Sequence, residues 1–193
     1  MRLFSHYAYK TLANTYLIGP DEPGNAILVD PSVFDVEMLE LVESHGYNVH
    51  GVLLTHCDES HLNGLRTIRR VYDCEVFAAR SSVLGESVTP VSNGDVLDIC
   101  CEPIHVIGLP GHGRDSVAYL VADFLFSGVA LSAGEPGAVS NSYARAALLD
   151  NIGERVLTLP DHTVILPFYG PPSTVRVEKR TLATEEEDQS ATR

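Results

Sequence analysis

The sequence has few basic residues. It contains 13 lysines and arginines but 26 aspartates and glutamates, which gives a net charge of -13. A surface with this charge repels phosphate backbones and anionic membranes, so we expect neither nucleic acid nor a membrane as a partner. The sequence also lacks an apolar run long enough for a signal peptide or a transmembrane helix. A cytoplasmic protein is therefore predicted.

Cysteines in a CxxC arrangement are absent as well. The four cysteines, Cys57, Cys74, Cys100 and Cys101, have neither the spacing of a structural zinc cluster nor that of a redox motif. Cys100 and Cys101 fall in a predicted strand, where adjacent side chains point to opposite faces. We therefore expect reduced, partly buried thiols rather than a disulfide.

The 193 residues are 45% hydrophobic, which suits one compact domain with a sizeable core. We place this domain at residues 1–183. Residues 184–193 contain four consecutive acidic side chains, Glu185–Asp188, and no apolar residue beyond Ala191. This composition predicts an acidic, disordered tail.

Helices are predicted where apolar residues recur at intervals of three and four residues. The first has Ser32 or Asp35 as its candidate N-cap and ends at Gly46, and the other two are Leu62–Tyr72 and Ala144–Val156. Strands are predicted from short β-prone runs between turn residues. These runs are Thr15–Ile18, Ala26–Val29, Val49–Leu54, Glu75–Ala79, Val96–Cys101, His105–Gly108, Val117–Val121, Phe124–Phe126 and Thr163–Leu166. The order of elements predicts a layered α/β protein with sheet buried between helices.

Polar side chains cluster where three of these predicted strands end. The clusters are Thr55–His61, Leu109–Gly113 and Leu166–Pro171. In the second cluster, glycines on both sides of His112 let the backbone turn tightly. Since α/β folds commonly bind ligands at the carboxyl ends of strands, we expect the three clusters to converge on one site.

These segments, in this order and spacing, resemble the metallo-β-lactamase superfamily, nearest in style to its glyoxalase II branch. His56 and His61 match the first and last histidines of the family's metal loop, THxHxDH, and His112 matches the histidine of its PGH turn. Asp30 matches an aspartate that supports the site in the family without binding metal. The resemblance implies an αββα four-layer sandwich with the site along one edge of the two sheets.

The metal site is degenerate compared with that of the family. Asp58 stands where the loop has its second histidine, and Ser60 replaces the loop's aspartate. Val129 occupies the position of an aspartate that bridges two metals, and Tyr169 occupies that of the final histidine. Each departure removes a ligand that the family's two-metal chemistry uses.

One metal position survives these losses. It retains His56, Asp58 and His112, and two imidazoles with one carboxylate suit one divalent ion with open coordination positions. The second position retains only His61 among strong ligands. We therefore predict at most one ion, with zinc expected and iron(II) or manganese(II) as alternatives. Next to His112, Asp115 and its neighbour Arg114 replace small residues of the family, which predicts a charged pocket mouth.

The predicted function is a mononuclear metal-dependent hydrolase of a small-molecule ester, thioester or amide. Asp58 or His61 would transfer protons. Tyr169 would donate a hydrogen bond to an anionic intermediate, or else pack as a turn aromatic.

Two alternatives remain open at the level of sequence. One is a metal-poor pseudoenzyme that acts as a binding or scaffold protein. The other is a mononuclear iron oxygenase, although the iron ligand of the persulfide-oxidising branch comes from the position of Val129. The oligomeric state is not predicted.

Overall fold

The computed structural model describes residues 1–58 and 62–182. His61 and Ser60, and the predicted acidic tail, lie outside the described residues. The strands are β1 (Arg2–Ala8), β2 (Ala13–Gly19), β3 (Gly24–Val29), β4 (Tyr47–Leu53), β5 (Glu75–Ala78), β6 (Ser82–Val83), β7 (Glu86–Ser87), β8 (Thr89–Pro90), β9 (Val96–Leu97), β10 (Ile104–Gly108), β11 (Val117–Val121), β12 (Phe124–Gly128), β13 (Leu131–Ser132), β14 (Glu135–Pro136), β15 (Val164–Pro167) and β16 (Ser173–Thr174). The helices are α1 (Val36–Ser44), α2 (Asn63–Val71), α3 (Ser142–Asn151) with a π-helical extension (Ile152–Val156), and a helical segment at 175–182.

Two six-stranded sheets form the centre of the fold. The first has the order β1-β2-β3-β4-β5-β8, and the second has the order β16-β15-β12-β11-β10-β9. Helices α1 and α2 pack on the outer face of the first sheet, and α3 packs on the outer face of the second. The predicted αββα sandwich is confirmed. In both sheets the central strands next to the site include parallel pairs, β3 with β4 and β12 with β15, so that their carboxyl ends share an edge.

The layer between the sheets is an apolar core to which both sheets contribute. Phe77 of the first sheet lies in the same cluster as Val106 of the second, and the rings of Tyr16 and Phe126 meet edge to face with centroids 5.2 Å apart. Full burial of one such side chain contributes about 1.5–3 kcal/mol to folding. The apolar contacts therefore set the relative position of the sheets on which the site depends.

Helix α1 illustrates how local sequence fixes an element. The carboxylate of Asp35 accepts a hydrogen bond from the Met38 amide at 3.0 Å, so Asp35 rather than Ser32 is the N-cap. Met38 and Val42 point into the core, and Gly46 follows the helix with a φ of 65°, a left-handed conformation that favours glycine. The predicted start and end of this helix are confirmed.

The predicted strand Val96–Cys101 is wrong over most of its length. Strand β9 contains only Val96–Leu97, and the chain then bends. In the bend, the Sγ atoms of Cys100 and Cys101 lie 3.4 Å apart, so the two side chains do not point to opposite faces. The thiol of Cys100 is also directed towards the carbonyl oxygen of Asn25, at 3.5 Å.

Candidate metal centre

Three of the predicted site residues meet at one edge of the sandwich. His56 and Asp58 follow β4, and His112 lies in the turn between β10 and β11. One ligand atom from each of the three lies within 4.8 Å of the others. The Nε2 atom of His56 is 3.1 Å from Oδ1 of Asp58, and the two imidazole centroids are 4.9 Å apart. These distances give the trio the arrangement of a candidate metal centre.

The hydrogen bond of one imidazole and the orientation of the other test whether the trio fits a metal. Nδ1 of His112 hydrogen bonds to the carbonyl oxygen of Ala138. Because a carbonyl oxygen only accepts, Nδ1 carries the proton and Nε2 keeps a free lone pair. His56 presents Nε2 towards Asp58. Two imidazole nitrogens and a carboxylate oxygen form a donor set that fits one divalent ion.

The loop that carries His56 is anchored by its first residue, Thr55. The carboxylate of Asp30 accepts hydrogen bonds from the Thr55 amide at 2.8 Å and from its hydroxyl at 2.7 Å. The carbonyl of Thr55 in turn accepts from the amide of Val117 at 2.9 Å. Asp30 is therefore a supporting residue behind the site, as the resemblance implies, and Thr55 connects the two sheets.

Asp30 should make stability depend on pH. Burial raises the pKa of its carboxyl to about 6, above the ordinary value of 3.8, although the hydrogen bonds from Thr55 lower it. Between these values the folded chain holds a proton that the unfolded chain has lost. The free energy of unfolding should therefore fall by about 3 kcal/mol as the pH rises through this range.

The variant Asp30→Asn should lack this contribution, because asparagine does not titrate. Urea unfolding of both proteins in chelator, at several pH values from 4 to 7, measures the difference between their slopes. Equal slopes would show that the Asp30 carboxyl titrates alike in the folded and unfolded chain.

Tyr169 lies beside the trio. It lines a cavity of about 360 Å³ together with Asp58, His112 and Val129. Partial burial raises the pKa of the Tyr169 phenol, and the charge of Asp58 raises it further, so the hydroxyl stays protonated and able to donate. Val129 contributes an apolar surface to this cavity at the position where the family has its bridging aspartate.

A second cavity, of about 560 Å³, also borders His56, Asp58 and His112, and two arginines, Arg80 and Arg114, line it. Arg114 is exposed, in agreement with a charged pocket mouth. Asp115 is not part of an exposed mouth, because only 6% of its surface is accessible. Its carboxylate lies in the interior, next to Arg80 and His56.

The contacts of Asp115 are the part of the site that the sequence did not predict. Oδ2 of Asp115 is 2.6 Å from Nε of Arg80, and Oδ1 is 3.5 Å from Nδ1 of His56. Arg80 follows β5 and belongs to no motif. The only signal in the sequence was a carboxylate directly after the His112 turn.

Two other candidates, His61 and Cys57, do not belong to the trio, and His61 lies outside the described residues. Cys57 is buried, and burial followed by the charge of Asp115 raises the pKa of its thiol to about 12, in agreement with a structural role. A cavity of about 790 Å³ at the end of α2 is lined by seven of the residues between Arg66 and Cys74. No member of the trio lines it.

Comparisons with known proteins agree with this architecture. Residues 9–83 match the family model of the metallo-β-lactamase superfamily. The probable metallo-hydrolase YqgX of Bacillus subtilis is 27% identical over 190 residues, which are 86% of this chain and 89% of that protein. The crystal structure of ETHE1 from Myxococcus xanthus superposes with a TM-score of 0.84 at 26% identity, covering 94% of this chain and 83% of that one.

A hydroxyacylglutathione hydrolase of Aliivibrio fischeri is 27% identical over 142 residues, 73% of this chain and 55% of that protein. The chain spans about half the length of the curated hydroxyacylglutathione hydrolases that it matches first. The chain is thus a metallo-β-lactamase-fold protein, and its resemblance to the superfamily, whose members use metal ions, is confirmed.

Proposed function

We propose that the protein is a mononuclear metal-dependent hydrolase of a small-molecule ester, thioester or amide. The convergence of His56, Asp58 and His112 carries this proposal. A divalent ion held there would lower the pKa of a coordinated water and so supply hydroxide near neutral pH. The similarity to proteins named as hydrolases supports hydrolysis as the reaction.

The residues around the trio have complementary roles in this proposal. Asp58 is exposed, and in this proposal its carboxylate would accept a proton from a water molecule at the trio. The protonated phenol of Tyr169 would donate a hydrogen bond to the oxygen of the substrate carbonyl as negative charge develops on it. His61 stays a proposed proton-transfer residue on the strength of its motif position.

Zinc is the proposed metal, because two imidazoles with one carboxylate are common zinc ligands, and iron(II) and manganese(II) are the alternatives. The proposed location is the cytoplasm, as the sequence predicts. Among residues 1–58 and 62–182, none of the helices combines the length and the apolar composition that a membrane span requires.

Metal analysis tests the proposal first. Protein purified without added metal, then loaded with zinc and freed of excess, should hold no more than one equivalent per chain. The loaded protein should hydrolyse members of a panel of p-nitrophenyl esters and acyl thioesters, and chelator should remove this activity until zinc is returned.

The Tyr169→Phe variant should lower kcat more than it changes KM, because the lost hydrogen bond acts on the developing oxyanion.

Other results would favour other functions. A protein that binds no metal would be a pseudoenzyme, and the trio would then be a remnant of the family site. A protein that retains iron and consumes oxygen with a thiol substrate would be an oxygenase. Two tightly bound equivalents of zinc would show that the second position is intact, against the loss of its ligands.

A further inference from the structure

Asp115 is a buried carboxylate in contact with the trio but not part of it. Its side chain is only 7% exposed, and its Oδ1 lies 3.5 Å from Nδ1 of His56. The opposite nitrogen of the same imidazole, Nε2, is the one that lies 3.1 Å from Asp58. The imidazole of His56 therefore lies between two carboxylates, one at the surface and one in the interior.

A buried carboxylate is costly unless a positive group compensates its charge. Arg80 supplies this compensation, since its Nε lies 2.6 Å from Oδ2 of Asp115. The contact with Arg80 is made by Oδ2, and Oδ1 is the oxygen next to His56. The guanidinium and the imidazole thus contact different oxygens of one buried carboxylate.

The packing around this pair leaves room for nothing larger than a glycine. A Cβ atom at Gly113 would lie 2.7 Å from Cε1 of His56 and 2.8 Å from Oδ1 of Asp115. Distances this short would force the two side chains apart. Gly113, the second glycine of the His112 turn, therefore permits the close approach of Asp115 to His56.

We propose that Asp115 is a positioning residue, which holds His56 with its proton on Nδ1 so that Nε2 is presented to a metal ion. The inference rests on the proposed metal site. A carboxylate that accepts the outer N–H of a ligating histidine fixes its tautomer and ring orientation and makes it a stronger ligand. For His112 the carbonyl of Ala138 has the corresponding role. The Nδ1 atom of each imidazole then faces an acceptor, which is a charged carboxylate for His56 and a neutral carbonyl for His112.

Zinc affinity measures this role directly. We expect Asp115→Asn to weaken zinc binding about 10- to 100-fold in a competition titration with a chromophoric chelator. The matched control is Asp123→Asn, because Asp123 also pairs with a histidine, at 3.1 Å from Nε2 of His162, but both side chains are exposed and distant from the trio. Zinc affinity in the control should equal that of the wild type.

Arg80→Gln separates positioning from simple ion pairing. It removes the partner of Asp115 but leaves the carboxylate facing His56, so zinc affinity should not fall. Should Arg80→Gln weaken zinc binding as much as Asp115→Asn does, Asp115 would act only through the ion pair and the inference would be wrong.

The histidine tautomer provides a measurement that needs no metal. Long-range 1H–15N correlation of the metal-free wild type at alkaline pH should show the His56 proton on Nδ1, and Asp115→Ala should shift the proton towards Nε2. A wild-type proton on Nε2, or unchanged zinc affinity in a folded Asp115→Asn variant, would overturn the inference. A wild type that binds no zinc but has the expected His56 tautomer would count against the proposed function and leave the role of Asp115 intact.

Discussion

Replacing His112 by alanine is expected to abolish tight metal binding. The variant keeps only His56 and Asp58 of the three converging donors, and Asp58 is an exposed side chain that has to be held in place. Two protein ligands are fewer than the three that open zinc sites normally have. Calorimetric titration with zinc should therefore show one equivalent bound by the wild type and no measurable binding by His112→Ala.

Two other histidine variants give this experiment its contrast. His162→Ala removes a histidine that is 66% exposed and paired only with Asp123 among the contacts described, and it should bind zinc as the wild type does. His61→Ala should weaken binding only modestly, because the sequence assigns His61 to the second metal position. If His61→Ala and His112→Ala cause the same loss, the division into a surviving and a lost position is wrong.

The second large effect is expected from restoring the lost ligands. The variant that combines Asp58→His, Ser60→Asp, Val129→Asp and Tyr169→His should bind a second zinc ion. Three of these positions, Asp58, Val129 and Tyr169, already line one cavity with His112. The turn before Val129 also requires its glycine, since Gly128 has a φ of 58° and a Cβ there would clash with the Thr55 hydroxyl oxygen. Ligand identity rather than backbone path would then be what the site has lost.

Val129→Asp is the decisive change in this set. A half-buried aspartate without a metal should cost about 1–3 kcal/mol, so the variant should melt at a lower temperature in chelator and recover with zinc. The control is the triple variant that keeps Val129, which lacks the bridging carboxylate and should bind only one ion. A well-folded quadruple variant that still binds one ion or none would show that the loops themselves have diverged.

The sequence predicted the layers of the fold because the spacing of apolar residues reflects which side chains are buried. Apolar residues at helical spacing marked α1 and α2, and aliphatic runs marked the strands between the layers. Strand β1 was not predicted, since most of its side chains are at least partly exposed and its order comes from pairing with β2 along all of its length. The helical segment 175–182 was also missed, because it is rich in charge and one of its three buried side chains, Glu178, is itself charged.

The candidate site was predictable to the extent that short motifs encode it. The trio lies in two segments whose order and turn residues are recognisable, and the structure brings these segments together. The pair formed by Asp115 and Arg80 was not predictable, because Arg80 follows a different strand and only the folded chain places it there. Asp115 contacts both Arg80 and His56 in the interior, and neither contact can be read from the residues next to it in sequence, so the sequence indicated an exposed position instead.

The hydrogen bonds of Thr55 have a consequence for how this site changes in the course of evolution. Thr55 hydrogen bonds to Asp30, which follows a strand of the first sheet, and to Val117 of the second sheet, so the start of the His56 loop is held by both sheets. Asp58 and Tyr169 lie outside these hydrogen bonds and are exposed. Substitutions at Asp58 or Tyr169 leave the hydrogen bonds of Thr55 intact. We therefore expect that ligands at these two positions can be exchanged one at a time without loss of the fold. The same separation makes this scaffold suitable for rebuilding a different active site on an unchanged base.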